Sequence, residues 1–474
     1  MDNNYKEAHE AFVQNNNGTT LFETTFVLTV LPVAILFQRV VFAVFFDRIT
    51  NIPTPIKFIL EFISIILPFI ITITFTELTP FMVIAMFITF IVVPLFAKDN
   101  VQIYFKSPQQ LLFDLNSMRK GFLEEYRSFI MIATCICILA VDFQVFPRRF
   151  GKTENYGISL MDIGVGSVVL SGALVSRQAR YDQLKILNEV EVDSKKGPIP
   201  RLYKKQSLSR LSLAIHTLKS NLPLVIIGFV RMILTKSVNY QEHTSEYGVH
   251  WNFFFTLALV SLSMAFLKFS PNVNAAIGVL AIVIYQIALS NYGLADYILN
   301  HPRTDLISAN KEGICSFIGY LSIYLIGIKL GHTLFKPRKS LAQWRNYAIQ
   351  LLLLSVVFGC LLYQVEMRID RISRRMANLP YVLAILTINL FNFALNIIVT
   401  LISGYQNPSV IAKSINRNQL FIFLLGNILT GLINISMKTI YADTETSMTV
   451  ITGYTLFLCL VALVLDKKNL TLKL

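Results

Sequence analysis

The sequence predicts an all-α fold, a polytopic transmembrane helix bundle. Three observations predict it. Of 474 residues, 54% are hydrophobic and only 15% charged, and the mean hydropathy is +0.57. A soluble domain carries about 25% charged residues. Apolar runs of about 20 residues, enough to span a ~30 Å hydrocarbon core, recur from end to end. The alternating segments of a transmembrane β-barrel are absent.

About thirteen spans are expected. They fall near 24–46, 56–76, 79–97, 128–142, 158–176, 221–238, 251–268, 272–291, 313–331, 347–364, 379–402, 418–437 and 446–465. The fourth and sixth look short, so they tilt differently or extend into their flanks. Residues 1–22 are polar, and no basic region precedes a short apolar core. The first run therefore reads as a signal anchor or a true span, not a cleavable signal.

Loops assigned alternately to two sides differ in charge. The set containing 98–127, 177–220, 329–346 and the C-terminus holds more than twice the Lys and Arg of the other. Such enrichment marks the cytosolic side, so the N-terminus is expected to be luminal and the C-terminus cytosolic. The same loops account for the net charge of +14 without nucleic acid. The expected organisation is a luminal segment 1–23, one membrane domain 24–465 and a cytosolic tail 466–474. Asn17-Gly18-Thr19 is a luminal glycosylation sequon. Those at Asn434 and Asn469 are expected to stay unmodified, one too near the membrane and one cytosolic. The long loop 177–220 has a basic, amphipathic face suited to anionic headgroups. Cys135, Cys137, Cys315, Cys360 and Cys459 lie in apolar runs, with no disulfide framework and no metal spacing. Ser167-xxx-Ser171 and Gly172-xxx-Ser176 permit close helix packing. Asn389, Asn392 and Asn396 share one helical face, as do Asn427 and Asn434. They serve as interhelical glue or line a polar cavity.

The luminal ends carry dense polar clusters. In VDFQVFPRRFGK (141–152), Asp142 ends a span. A carboxylate there meets the negative end of the helix dipole, and burial disfavours its charged form. Both suit a general base. The bland alternative is an interfacial cluster in which Arg148, Arg149 or Lys152 pairs with Asp142. In YQEHTSEYGVHWNFFF (240–255), Glu242, His243, Glu246 and His250 fall close together. No zinc spacing is present, and the aromatics with Asn252 also fit a membrane-boundary belt. In ISANKEGICSFIGY (307–320), Asn310 precedes Lys311 and Glu312 at the start of a span, either as a helix cap with Glu312 in the first turn or as site residues. In RIDRISRRMANLPY (368–381), four arginines stand in a luminal loop against the charge trend. Arg374 and Arg375 there suit an anionic partner such as a phosphate, or pair with Glu366 and Asp370.

Walker loops, GxSxG and dinucleotide fingerprints are missing. Two classes stay open: a lipid-modifying enzyme, and a transporter with a polar pathway. No internal repeat is visible and the polar motifs cluster on one side, which favours the enzyme.

The run ILAVDFQVFPRRFGKTENYGISLMDIGVGS closely resembles a signature of the inositol acyltransferases of glycosylphosphatidylinositol (GPI) biosynthesis, the GPI-anchored wall transfer protein and phosphatidylinositol-glycan class W family. NYQEHTSEYGVHWNFFFTL, NKEGICSFIGYL, SRRMANLPYV and GNILTGLINISM resemble it in the same order. The likeness covers residues 120–474. Gln144 and Gly151 stand where the family often has Pro and Ala, and neither carries chemistry. The resemblance implies a multi-pass endoplasmic reticulum protein. It implies transfer of a fatty acyl group, typically palmitoyl, from acyl-CoA to the inositol 2-hydroxyl of glucosaminyl-phosphatidylinositol. Acyl-CoA is then a co-substrate, with no permanently bound cofactor and no metal. Asp142 is the expected base, and Lys152 the expected stabiliser of the oxyanion or of a phosphate. His250 is the alternative base. Arg148, Arg149, Glu242, His243, Glu246, Asn252, Asn310, Lys311, Arg374, Arg375 and Asn378 are the expected substrate-binding residues. The runner-up is a transporter or flippase for a GPI precursor, which leaves substrate mass unchanged.

Overall fold

The computed structural model describes residues 5, 8–9, 11–12, 14, 16–45, 52–96, 107–180, 210–237, 244–267 and 269–472. Glu242, His243 and most of the 177–220 loop lie outside the described residues.

The described chain is helical, and one isolated bridge joins Thr19 to Ile158. A helix coincides with each of the thirteen expected segments. Among the described residues, eight helices are long and apolar enough to cross a membrane: Leu21–Phe42, Thr54–Thr74, Pro271–Asn291, Lys311–Phe335, Leu341–Arg368, Leu379–Ser403, Gln419–Ser436 and Thr444–Lys467. The two short segments extend into their flanks, as Gly121–Ala140 and Arg210–Ser237. The first of these carries Glu124, Glu125 and Arg127 in its opening turns. Pro68 cannot donate a backbone hydrogen bond, and a π-turn at Phe62–Ile66 leads into the helical stretch that begins beside it.

The chain forms two compact units. The first comprises Met1–Gly164, Arg338–Gln364 and Leu383–Leu474. Its centre is helix Gly121–Ala140, buried along most of its length and packed against Val410–Arg417, Gln419–Ser436 and Thr444–Lys467. Tyr126 Oη donates to Asn389 Oδ1 at 2.7 Å. Asn389, Asn392 and Asn396 also donate to carbonyls one turn back, so this polar face is buried inside the unit. Arg39 Nη2 donates to both Glu125 carboxylate oxygens, at 2.8 and 3.0 Å, and both side chains are buried. Leu353, Val356, Val357 and Leu361 form an exposed apolar face on Leu341–Arg368, which suits lipid contact.

The second unit comprises Val165–Pro337 and Val365–Val382. Helix Pro271–Asn291 packs along Lys311–Phe335, with Gly278 pressed on Leu325 and Ser322. Helix Phe253–Phe266 packs on Arg210–Ser237, where Gly228 admits the Phe255 ring. The close approach expected at Gly172-xxx-Ser176 is not made there, because a Cβ on Gly172 meets nothing within 4 Å. It is made from the other partner. Gly327 and Gly331, one turn apart on Lys311–Phe335, admit Leu170, Ala173 and Leu174. All five cysteines are free thiols.

Candidate functional site

The first polar centre is built on the segment after Ala140, in the first unit. Helix Gly121–Ala140 unwinds through turns closed by Asp142 N to Leu139 O (3.2 Å) and Phe143 N to Ala140 O (3.0 Å). Phe143, Phe146 and Phe150 are fully buried and anchor this segment like three pegs. Arg148 folds back over the helix end. Its Nη2 donates to the carbonyls of Val141 (2.6 Å), Phe146 (3.2 Å) and Phe143 (3.4 Å). A cation on the last carbonyls of a helix is favourable. Burial pushes this guanidinium down to about 10, and the neighbouring Asp142 charge opposes the shift. Arg148 thus fixes the turn that presents Asp142.

Asp142 itself is 4% exposed. Its two oxygens have different partners. Asn434 Nδ2 donates to Oδ2 at 2.7 Å, and His9 Nε2 stands 3.3 Å from Oδ1. Thr439 Oγ1 reaches Asn434 Oδ1 at 3.4 Å and lies 3.2 Å from Tyr5 Oη. Asp142 is therefore not paired side chain to side chain with its sequence neighbours. Arg149 pairs with Glu23 at 3.0 Å and donates to Thr76 at 2.8 Å. Lys152 is half-buried on the same segment. Beyond it, Asp162 accepts from Thr153 Oγ1 at 2.9 Å and closes the loop back onto helix Leu160–Leu174. Two glycines let the N-terminal segment lie against this loop. Gly18 (φ +79°) and Gly157 (φ +119°) are left-handed, and a Cβ on either would meet a carbonyl oxygen at 2.3 or 2.4 Å.

The second polar centre lies in the second unit. Glu312 is 0% exposed and binds two arginines, Arg303 at 2.6 Å and Arg375 at 2.8 Å. Arg374 pairs with Glu246 at 3.0 Å. The carboxylate partners of Arg374 and Arg375 are thus Glu246 and Glu312, rather than Glu366 and Asp370. Lys311 Nζ donates to the carbonyls of Tyr297 (3.0 Å) and His301. Asn310 does not cap its own helix through its side chain. Instead its Oδ1 accepts from His250 N at 2.8 Å, and its Nδ2 donates to Leu306 O at 2.8 Å. It therefore ties the half-buried His250 to the start of Lys311–Phe335. Asn252 caps Phe253–Phe266, accepting from Phe254 N and Phe255 N, and donates to Gly228 O. Asn378 accepts from Ser373 N and Tyr381 N and donates to Asp370 and Arg371 O. Asn252, Asn310 and Asn378 thus shape the backbone of this centre.

Asp142, Arg148, Arg149 and Lys152 belong to one unit. His250, Glu246, Asn252, Asn310, Lys311, Arg374, Arg375 and Asn378 belong to the other. Among the described residues, no cluster of three His, Cys, Asp or Glu is arranged to hold a metal ion. Sequence reasoning missed His9, Tyr5 and Thr439, and placed Glu312 only in the first turn after Asn310. It saw Asn434 only as one residue of a polar helix face. No local spacing links positions 9, 142 and 434, so no motif signals their meeting.

Comparison with known proteins gives a consistent family. The family model GWT1 matches residues 5–465. A phosphatidylinositol-glycan biosynthesis class W protein from Dictyostelium discoideum is 63% identical over the whole of both chains. A GPI-anchored wall transfer protein 1 from Gibberella zeae is 35% identical over 99% of each chain. One of the same name from Kluyveromyces lactis is 36% identical over 73% of each. A match over nearly the whole length, together with a relative this similar from end to end, means that the chain belongs to the GWT1 family.

Proposed function

We propose that this protein works in GPI-anchor biosynthesis, transferring a fatty acyl group, palmitoyl by expectation, from acyl-CoA to the inositol 2-hydroxyl of glucosaminyl-phosphatidylinositol. The names of the relatives support the pathway. The observation that carries the reaction is Asp142, a buried carboxylate just past a helix end, held at both oxygens and followed on the same segment by Lys152. Acyl transfer to an alcohol needs a base for the hydroxyl and a cation or dipole for the oxyanion. In this reading Asp142 takes the hydroxyl proton while the oxygen attacks the thioester carbonyl. Lys152 stabilises the oxyanion. The new ester C–O bond forms, the C–S bond breaks, and the proton passes from Asp142 to the departing thiolate. Arg148 contributes by fixing the turn that presents Asp142.

The accompanying placement is a multi-pass protein of the endoplasmic reticulum membrane with about thirteen spans, its N-terminus luminal and C-terminus cytosolic. Its partners are membrane lipids and the two substrates. Five of the thirteen helices fall outside the eight that meet the length and apolarity of a span, so this count relies on shorter or more charged helices crossing too.

The purified protein, given palmitoyl-CoA and glucosaminyl-phosphatidylinositol, is expected to yield a lipid heavier by one palmitoyl group on mass spectrometry. Unchanged lipid mass with the protein folded sinks the acyltransferase and restores the transporter. Orientation has its own test. Asn17 is exposed, so the wild type is expected to run as an endoglycosidase-sensitive glycoform that Asn17→Gln lacks. Identical mobility of the two would count against a luminal N-terminus.

A further inference from the structure

The segment ahead of the first helix is polar and reads from sequence as a plain luminal tail. In the first unit it is fastened at successive points. Tyr5 Oη lies 3.2 Å from Thr439 Oγ1. His9 Nε2 lies 3.3 Å from Asp142 Oδ1. The Phe12 ring stacks under the Arg148 guanidinium at 4.0 Å. Asn16 packs against Gly151, and Thr19 N donates to Ile158 O at 2.7 Å. These contacts fall on the Asp142 segment, on the loop that follows it at Ile158, or on Thr439, which also reaches Asn434, the partner of Asp142.

His9 is 8% exposed, and a buried imidazole needs a polar partner. Asp142 is one such partner. Among the described residues, Arg148 lies beside Asp142, Tyr5 beside His9, and Lys438 and Tyr441 against the Tyr5 ring. A carboxylate gripped on one oxygen only can still rotate about Cβ–Cγ. Gripped on both, by Asn434 and His9, it is locked in one plane. Orientation at that level matters, because a misplacement of about 1 Å costs on the order of 10²-fold in rate.

We infer that His9 is a positioning residue of the acyl-transfer site: its Nε2–H and the Asn434 amide together hold the Asp142 carboxylate in line for the inositol hydroxyl. This rests on the acyl-transfer reading above. It makes the N-terminal segment part of the site rather than a tail. His9 acts through Asp142 and exchanges no proton with substrate.

The test uses the full chain with His9→Ala, His9→Phe and His9→Gln, each checked for folding by gel filtration. His9→Ala is expected to lower kcat about 10- to 100-fold while KM for both lipids stays within about twofold, since orientation is lost and binding is not. His9→Phe keeps the ring volume without the N–H, and replaces His9→Ala if the latter does not fold. It is expected to fall as far. His9→Gln carries an amide N–H at similar reach and no titratable group, and is expected to recover kcat to within about fivefold of wild type. A folded His9→Ala or His9→Phe with wild-type kcat overturns the inference. So does a rise in KM alone, which would make His9 a substrate contact. Failure of His9→Gln to improve on His9→Phe also overturns it, because a donor would then not be what the site lacks. A wild-type protein without product refutes the acyltransferase instead, and the two failures are told apart by that control.

Discussion

Asp142→Asn is expected to lower acyl transfer by about 10²- to 10⁴-fold, the range that a positioned general base supplies. The substitution is nearly isosteric. Its amide oxygen can still accept from Asn434 Nδ2, and the turn stays pinned by Arg148 and by the buried Phe143, Phe146 and Phe150. Folding and substrate binding should therefore survive, and the loss should appear in kcat with KM little changed. Mass-spectrometric turnover at saturating palmitoyl-CoA and glucosaminyl-phosphatidylinositol reads this directly. Wild-type turnover from a folded Asp142→Asn protein would remove Asp142 from the chemistry. The next base to test would be His250, which sits beside Asn310 in the second unit.

How much of this was legible in the letters depends on distance along the chain. Helices are local, and a run of apolar residues specifies one whatever it packs against, so all thirteen segments were readable. The end of the fourth span was readable too: it is expected at Asp142, and the helix ends at Ala140. Partners were not. Arg374 and Arg375 have Glu366 and Asp370 close in sequence, yet they take Glu246 and Glu312, which tertiary packing brings against them. The small-residue spacings are read at Ser167-xxx-Ser171 and Gly172-xxx-Ser176; Gly172 meets nothing, and the close contact with this helix is admitted by Gly327 and Gly331, one turn apart on its partner. His9 is the extreme case. A lone histidine in a polar stretch carries no period and no spacing, and only folding sets it against Asp142.

Glu312→Ala is expected to be the most destabilising single change among the charged residues of the second unit. Glu312 has no exposed surface, and its carboxylate is shared by Arg303 and Arg375. Of the two guanidinium groups, the Arg375 side chain is only 11% exposed. Removing the carboxylate leaves a buried cation without its counter-charge, which costs about 3–5 kcal/mol. For a unit of this size that is on the order of a 10 °C fall in melting temperature in detergent. Glu312→Gln keeps the volume but not the charge, so it should lie close to alanine rather than to wild type. Arg149→Ala supplies the contrast. It also breaks an arginine–glutamate pair, but the Arg149 and Glu23 side chains are 45% and 29% exposed. Water screens such a pair and takes its place when it breaks, so the loss is expected to stay below about 1 kcal/mol. Equal shifts from the two alanine variants would mean that burial does not govern these pairs. A Glu312→Ala protein as stable as wild type would mean that the two arginines find another anion, and a gain in affinity for anionic lipid would then be the place to look for it.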